Sequence, residues 1–151
     1  MTNRNAFLAT IAYSEVGPEL ISISDAGYNV LVGSTPQKPL LFDDYSKHPR
    51  ILNRELNSTA AGLYQIIYPT WLGLCKNYGF TDFFPDSQDI MALDLITEHN
   101  AIDDVDAGRF EDAIFKCSAE WASLPGSDSG QHQNHMLTLK NVYIKAGGTL
   151  T

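Results

Sequence analysis

Apolar spacing alone would let one helix run from Tyr64 to Tyr78, but Pro69 stands in the middle of it. Proline has no backbone N–H, and its ring clashes with the preceding helical turn. It is therefore disfavoured in a helix interior and suits the first helical position. The reading that respects Pro69 is a short strand over residues 63–67 and a helix that starts at Pro69. That helix buries Trp71, Leu74, Cys75 and Tyr78, and Gly79 ends it.

The remaining elements follow from spacing and punctuation. Asn3 or Asn5 can cap a first helix, in which Phe7, Leu8, Ile11 and Ala12 recur at helical intervals. Glu15 lies four residues after Ile11 and eight after Phe7, at the end of the buried stripe, and Gly17-Pro18 stops the helix just beyond it. Residues 28–32 read as a strand, 33–39 as a turn and 40–42 as a returning strand, before a polar, irregular stretch over 43–57. Pro85 opens a helix through Ile90, Leu93, Ile96 and His99, and a short helix or turn leads to Gly108. Phe110, Ala113, Ile114, Cys117 and Trp121 mark a further helix ending before Pro125-Gly126; residues 127–130 form a loop. Met136, Leu139, Tyr143 and Ala146 mark the last helix, stopped at Gly147-Gly148. The fold class is α+β, mostly helical, with a small antiparallel β-hairpin or sheet. The 151 residues suit a single domain and can bury a sizeable core.

Ten basic against eighteen acidic residues, with no basic run, argue against a nucleic-acid partner. No segment approaches the roughly 20 apolar residues that span a bilayer. The apolar stretch 6–12 runs straight into Ser14 and Glu15, unlike a signal peptide. Cys75 and Cys117 fall on apolar helix faces and read as buried thiols. His132 and His135 are three apart but lack a third ligand, and Asp103, Asp104 and Asp106 lack calcium-loop spacing, so neither metal nor cofactor is expected. Glu15 is the residue with chemical promise. A carboxyl at the apolar end of a helix stripe is partly desolvated, which raises its pKa and suits it to act as a general acid. Spacing leaves open the alternative of a helix-closing glutamate paired with a nearby base.

The segment Ala12-Tyr13-Ser14-Glu15 resembles the catalytic segment of the lambda-type lytic transglycosylases, where a glutamate closes the first helix. Gly27-Tyr28-Asn29-Val30-Leu31-Val32-Gly33 is similar to the strand that follows it in that family. The same holds, in order, for Asp44-Tyr45-Ser46-Lys47-His48-Pro49-Arg50, Ser58-Thr59-Ala60-Ala61-Gly62-Leu63-Tyr64-Gln65, Ser87-Gln88-Asp89, Trp121-Ala122-Ser123-Leu124-Pro125-Gly126 and Ala146-Gly147-Gly148-Thr149. The resemblance covers nearly the whole chain and implies a lysozyme-like fold with a cleft between a sheet-bearing and a helical lobe. It implies cleavage of the β-1,4 bond between N-acetylmuramic acid and N-acetylglucosamine in peptidoglycan. The C6 hydroxyl of the muramic residue would close on C1 to leave a 1,6-anhydro end, with Glu15 as the single acid/base. Glycan contacts are expected from Gln65 and Tyr64, which an alternating strand would put on opposite faces, and from Ser58, Tyr28, Asn29, Tyr45 and His48. Tyr64 is as easily a core aromatic, Ser58 a turn residue, and His48 a loop-fixing hydrogen-bonding group. Trp121 is expected in the core.

The resemblance also implies a phage endolysin made in the host cytoplasm, acting on the wall after a holin permeabilises the membrane, with a monomer as the default. Two rivals stand beside it. One is a hydrolytic muramidase on the same fold, with Asp25, Asp43 or Asp44 as second carboxylate. The other is a catalytically silent glycan-binding protein.

Overall fold

The computed structural model describes residues 2–127 and 133–151. They form seven helices among the described residues: α1 (Asn3–Glu15), α2 (Pro18–Ile23), α3 (Tyr68–Tyr78), α4 (Pro85–Glu98), α5 (Ile102–Ala107), α6 (Phe110–Cys117) and α7 (Met136–Lys145). The chain divides into two compact units, residues 1–15 with 92–151 and residues 16–91, and the division falls inside α4.

In the helical unit, α1 packs against α5 and α7. Thr2 caps α1, its Oγ1 accepting the Asn5 N–H at 3.2 Å, where Asn3 or Asn5 was expected. Phe7 and Ile11 are fully buried, as the spacing predicts. The Phe110 ring bridges two others, 5.9 Å from Phe7 and 4.6 Å from Tyr143. Such ring pairs add about 0.5–1.5 kcal/mol beyond their buried area. Gly108 closes α5 in the left-handed conformation that only glycine adopts without strain. The helix expected through Trp121 ends at Cys117; Trp121 lies in the turns that follow, yet is buried as anticipated. Both cysteines are free, Cys117 buried and Cys75 half-buried.

Asp104 supplies a charged anchor. Its carboxylate is buried and accepts Arg109 Nε at 2.8 Å and Lys116 Nζ at 2.6 Å. The two cations hold its pKa below the usual carboxylate range. Asp104→Asn should lower unfolding stability by about 1–2 kcal/mol in urea titrations, a charge-assisted figure at the low end because both cations are half exposed and can rehydrate. A depressed folded-state pKa contributes stability that is present above the unfolded value and lost as pH falls through the folded one. The gap between wild type and Asp104→Asn should therefore close in acid.

In the second unit, the expected strands are reduced to isolated antiparallel bridges. Val30 pairs with Leu41, Leu31 with Ala61, and Ala61 with Ile66. The segment 28–32 thus meets 40–42 on one side and 60–62 on the other, without building a continuous hairpin or sheet. Residues 63–67 are not a strand: the chain turns over 62–65, with Gln65 at φ 50°, and the Ala61–Ile66 bridge closes the turn. Alternation therefore says nothing about which way Tyr64 and Gln65 point. Pro69 occupies the first turn of α3, one residue inside its start, and left-handed Gly79 ends it. Trp71 and Leu74 are buried, but Tyr78 is 46% exposed. The helix α2, opened by Pro18 directly after Gly17, is an addition to the expected order.

The buried face of α4 runs through Gln88, Met91, Ala92, Leu95 and Ile96, while Ile90 is exposed. The apolar reading placed the stripe too close to Ile90 because a glutamine occupies a core position. Gln88 is fully buried and satisfied: Oε1 accepts the Leu63 N–H at 3.0 Å, and Nε2 donates to the carbonyls of Phe83 (2.9 Å) and Tyr28 (3.1 Å). Gly62 makes room for it. It sits at φ 85°, and a Cβ there would lie 2.3 Å from Gln88 Oε1.

Candidate active site

Glu15 is the last residue of α1 and retains part of its surface. Burial raises its pKa from 4.5 to about 7. The Ser123 hydroxyl, which donates to Oε2, opposes that rise, and the negative charge of Glu120 adds to it. At neutral pH the carboxyl therefore populates both protonation states, as a group that must first give and then take a proton requires. Among the described residues of this unit the hydrogen-bond partner of Glu15 is a serine, not the base that a helix-closing ion pair would need.

Three further groups complete the surroundings of Glu15 in the helical unit. Ser14 and Ser123 hydroxyls lie 2.6 Å apart, and Asn134 Nδ2 donates to Ser14 Oγ at 3.0 Å. The Asn134 N–H donates to the Ser123 carbonyl at 2.8 Å. Glu120 is bonded to His99 Nε2 at 2.9 Å. None of these side chains was expected at the site. The Trp121–Gly126 motif marked the segment of Ser123 without a role for it, and nothing in the sequence pointed to Asn134.

The residues expected to meet sugar all belong to the second unit, where two tyrosines converge on one carboxylate. Tyr64 and Tyr28 hydroxyls donate to Asp89 Oδ1 at 2.5 and 2.9 Å. Burial, with the Asp89 bond, pushes Tyr28 up to about 12 and raises Tyr64 further. Both phenols stay protonated. Tyr64 is 2% exposed and packs as a core aromatic, while Tyr28 keeps part of its surface. Gln65 is half-buried and donates Nε2 to the carbonyls of Gly62 (2.8 Å) and Val30 (3.1 Å). Ser58 Oγ accepts the Ala60 N–H at 3.1 Å, a turn role. Tyr45 donates to Asp25 Oδ2 at 2.7 Å, and Asn29 Oδ1 accepts the Asp25 N–H at 2.9 Å, so two expected sugar contacts organise Asp25 together.

His48 is 1% exposed, its Nε2 on the Ile66 carbonyl at 2.7 Å and its Nδ1 accepting the Arg50 N–H at 3.0 Å. The carbonyl partner requires the proton on Nε2, and burial lowers the pKa, so the ring is neutral. It is packed at 5.0 Å from Phe83 and 5.6 Å from Tyr68, the loop-fixing alternative of the sequence reading. Of the carboxylates weighed for a hydrolytic partner, Asp44 is exposed and held below the usual range by Ser46. Of the histidine pair weighed for a metal, His132 lies outside the described residues. Among the described residues, no helix is long and apolar enough to cross a membrane.

Comparisons with known proteins agree along the whole chain. A family model described as Endolysin matches residues 5–150. The endolysin of Escherichia phage P2 is 41% identical, covering 97% of this chain and 93% of its own length. The endolysin of Escherichia phage lambda is also 41% identical, over 97% and 92%. A structure of bacteriophage lambda lysozyme complexed with a chitohexasaccharide superposes with a TM-score of 0.88 at 40% identity, over 99% of this chain and 96% of that one. A second lambda lysozyme structure gives a TM-score of 0.84. With a family model over nearly every residue, two relatives matched almost end to end and a shared lysozyme fold, this chain belongs to the endolysin family.

Proposed function

We propose that this endolysin is a lytic transglycosylase that works as one catalytic domain on peptidoglycan glycan strands, with Glu15 as its only acid/base. The observation that carries the reading is the Glu15 carboxyl, raised to about 7 by burial and held by a neutral hydroxyl instead of a cation. In the first step the Glu15 proton passes to the glycosidic oxygen and the C1–O bond breaks. In the second, the C6 hydroxyl oxygen of the muramic residue bonds to C1 and its proton returns to the Glu15 carboxylate. Water is neither consumed nor added, so a second carboxylate to activate it is unnecessary. Glycan binding is supported by the chitohexasaccharide complex of the lambda relative.

Tyr28, Asn29, Tyr45, Ser58 and Gln65 keep some exposure and are the proposed sugar contacts. Tyr64 and His48 would act by shaping the surface from within. Access to the wall would come through a separate holin.

Mass spectrometry of fragments released from purified peptidoglycan tests the reaction. Ends of 1,6-anhydro-muramic acid, lighter by one water than reducing ends, are expected. Reducing ends would assign a hydrolytic muramidase, and binding without release a silent glycan-binding protein. Because the first step needs protonated Glu15, kcat/KM should fall as pH rises through about 7.

A further inference from the structure

We propose that Ser123 is a positioning residue for Glu15, aimed by Ser14 and Asn134 so that its hydroxyl always donates to one carboxyl oxygen and leaves the other to carry the proton. The proposal rests on the reading of Glu15 as the acid/base. It begins with the polarity of the hydrogen-bond chain. Asn134 Nδ2 lies 3.0 Å from Ser14 Oγ and 3.5 Å from the Ser14 carbonyl oxygen. A carbonyl only accepts, so the group facing it is the amide nitrogen, and that nitrogen only donates. A hydroxyl has a single proton to give: Ser123 gives its proton to Oε2 of the Glu15 carboxylate, so in the Ser14–Ser123 pair, 2.6 Å apart, the Ser14 hydroxyl is the donor. The Asn134 N–H, bonded to the Ser123 carbonyl, holds the backbone that presents this hydroxyl.

The chain of donors has two consequences. With Oε2 occupied as an acceptor, the Glu15 proton resides on Oε1, which fixes the oxygen that faces the reaction. A hydrogen bond to the charged form also favours that form, so Ser123 restrains a pKa that would otherwise climb further. Among the described residues of the helical unit, Glu120 is the charged group that bears on Glu15, and it acts in the opposite sense; His99, just past the end of α4, holds Glu120. The other helices that meet α1, α5 and α7, contribute no charge to the Glu15 shift among the described residues.

The experiment is a carbon-13 NMR titration of the Glu15 carboxyl in the full chain without substrate, alongside a pH profile of wall cleavage. In Ser123→Ala the titration midpoint should rise by about one pH unit, the size expected for one charge-assisted hydrogen bond. The high-pH limb of kcat should move up with it, while kcat at its maximum falls about tenfold and KM changes little, as expected for loss of orientation. Ser123→Thr, which keeps the hydroxyl, should restore both, and Asn134→Ala should shift the midpoint upward by less. An unchanged midpoint in Ser123→Ala and Asn134→Ala, or no restoration by Ser123→Thr, overturns the proposal. The acid/base reading is tested separately: an active Glu15→Gln protein sinks that reading, whereas the titration still reports on Ser123.

Discussion

Glu15→Gln should cut the rate of glycan cleavage by about three orders of magnitude or more, while the protein still binds peptidoglycan and becomes more stable at alkaline pH. The catalytic loss follows from the proton. A positioned acid/base contributes roughly 10²–10⁴-fold, and in the proposed reaction the same group serves both halves, so losing it stalls each. Glutamine keeps the shape and can still accept from Ser123, which separates chemistry from folding. The stability gain follows from linkage. In the unfolded chain Glu15 titrates near 4.5, in the folded protein near 7. Between those values the folded state binds more protons, so its stability falls as pH rises. Above 7 the ionised carboxylate costs at most about 3 kcal/mol, which a neutral amide avoids. Calorimetry should therefore show Glu15→Gln melting above wild type at pH 8 and level with it at pH 4. An equal melting point at both would show that the carboxyl is well hydrated, and the general-acid assignment would lose its physical basis.

Gln88→Leu should be among the most damaging single substitutions in the second unit, lowering unfolding stability by about 3–5 kcal/mol. The side chains are similar in size, so the effect is not a cavity. It comes from three backbone groups, the Leu63 N–H and the carbonyls of Phe83 and Tyr28, that lose their partner together. Each buried polar group left unpaired costs about 1–3 kcal/mol. Gln88→Glu should recover little, because a carboxylate supplies no donor for two carbonyls. Urea unfolding of the purified variants measures the loss. A change below about 1 kcal/mol for Gln88→Leu would mean that water replaces the amide and that the fully buried site opens readily. The same glutamine accounts for Gly62, since any side chain at 62 would collide with Oε1.

The sequence alone determined much of the local framework and the position of the central residue. Pro69 and Gly79 bound α3, Pro85 opens α4, and Gly108 closes α5, because proline and glycine act through the sterics of their own backbone and need no distant partner. Glu15 was legible for a similar reason: Phe7 and Ile11 set the buried face of α1, and one helical period carries that face to position 15. The family followed from motifs spread over the chain in a fixed order.

Tertiary structure decided the rest. Apolar periodicity follows hydrophobic side chains, so it missed a buried stripe containing Gln88 and placed Ile90 inside when it is exposed. It extended a helix to Trp121, because a core residue after a helix end looks like one more turn. It read 63–67 as a strand, although Gln65 adopts a left-handed conformation held by hydrogen bonds to Gly62 and Val30. Ser123 reaches Glu15, and Asn134 reaches the neighbouring Ser14, across more than a hundred residues of chain. A hydrogen bond between such positions depends on how α1, α7 and the turns after α6 pack together, and no local pattern of residue types encodes it.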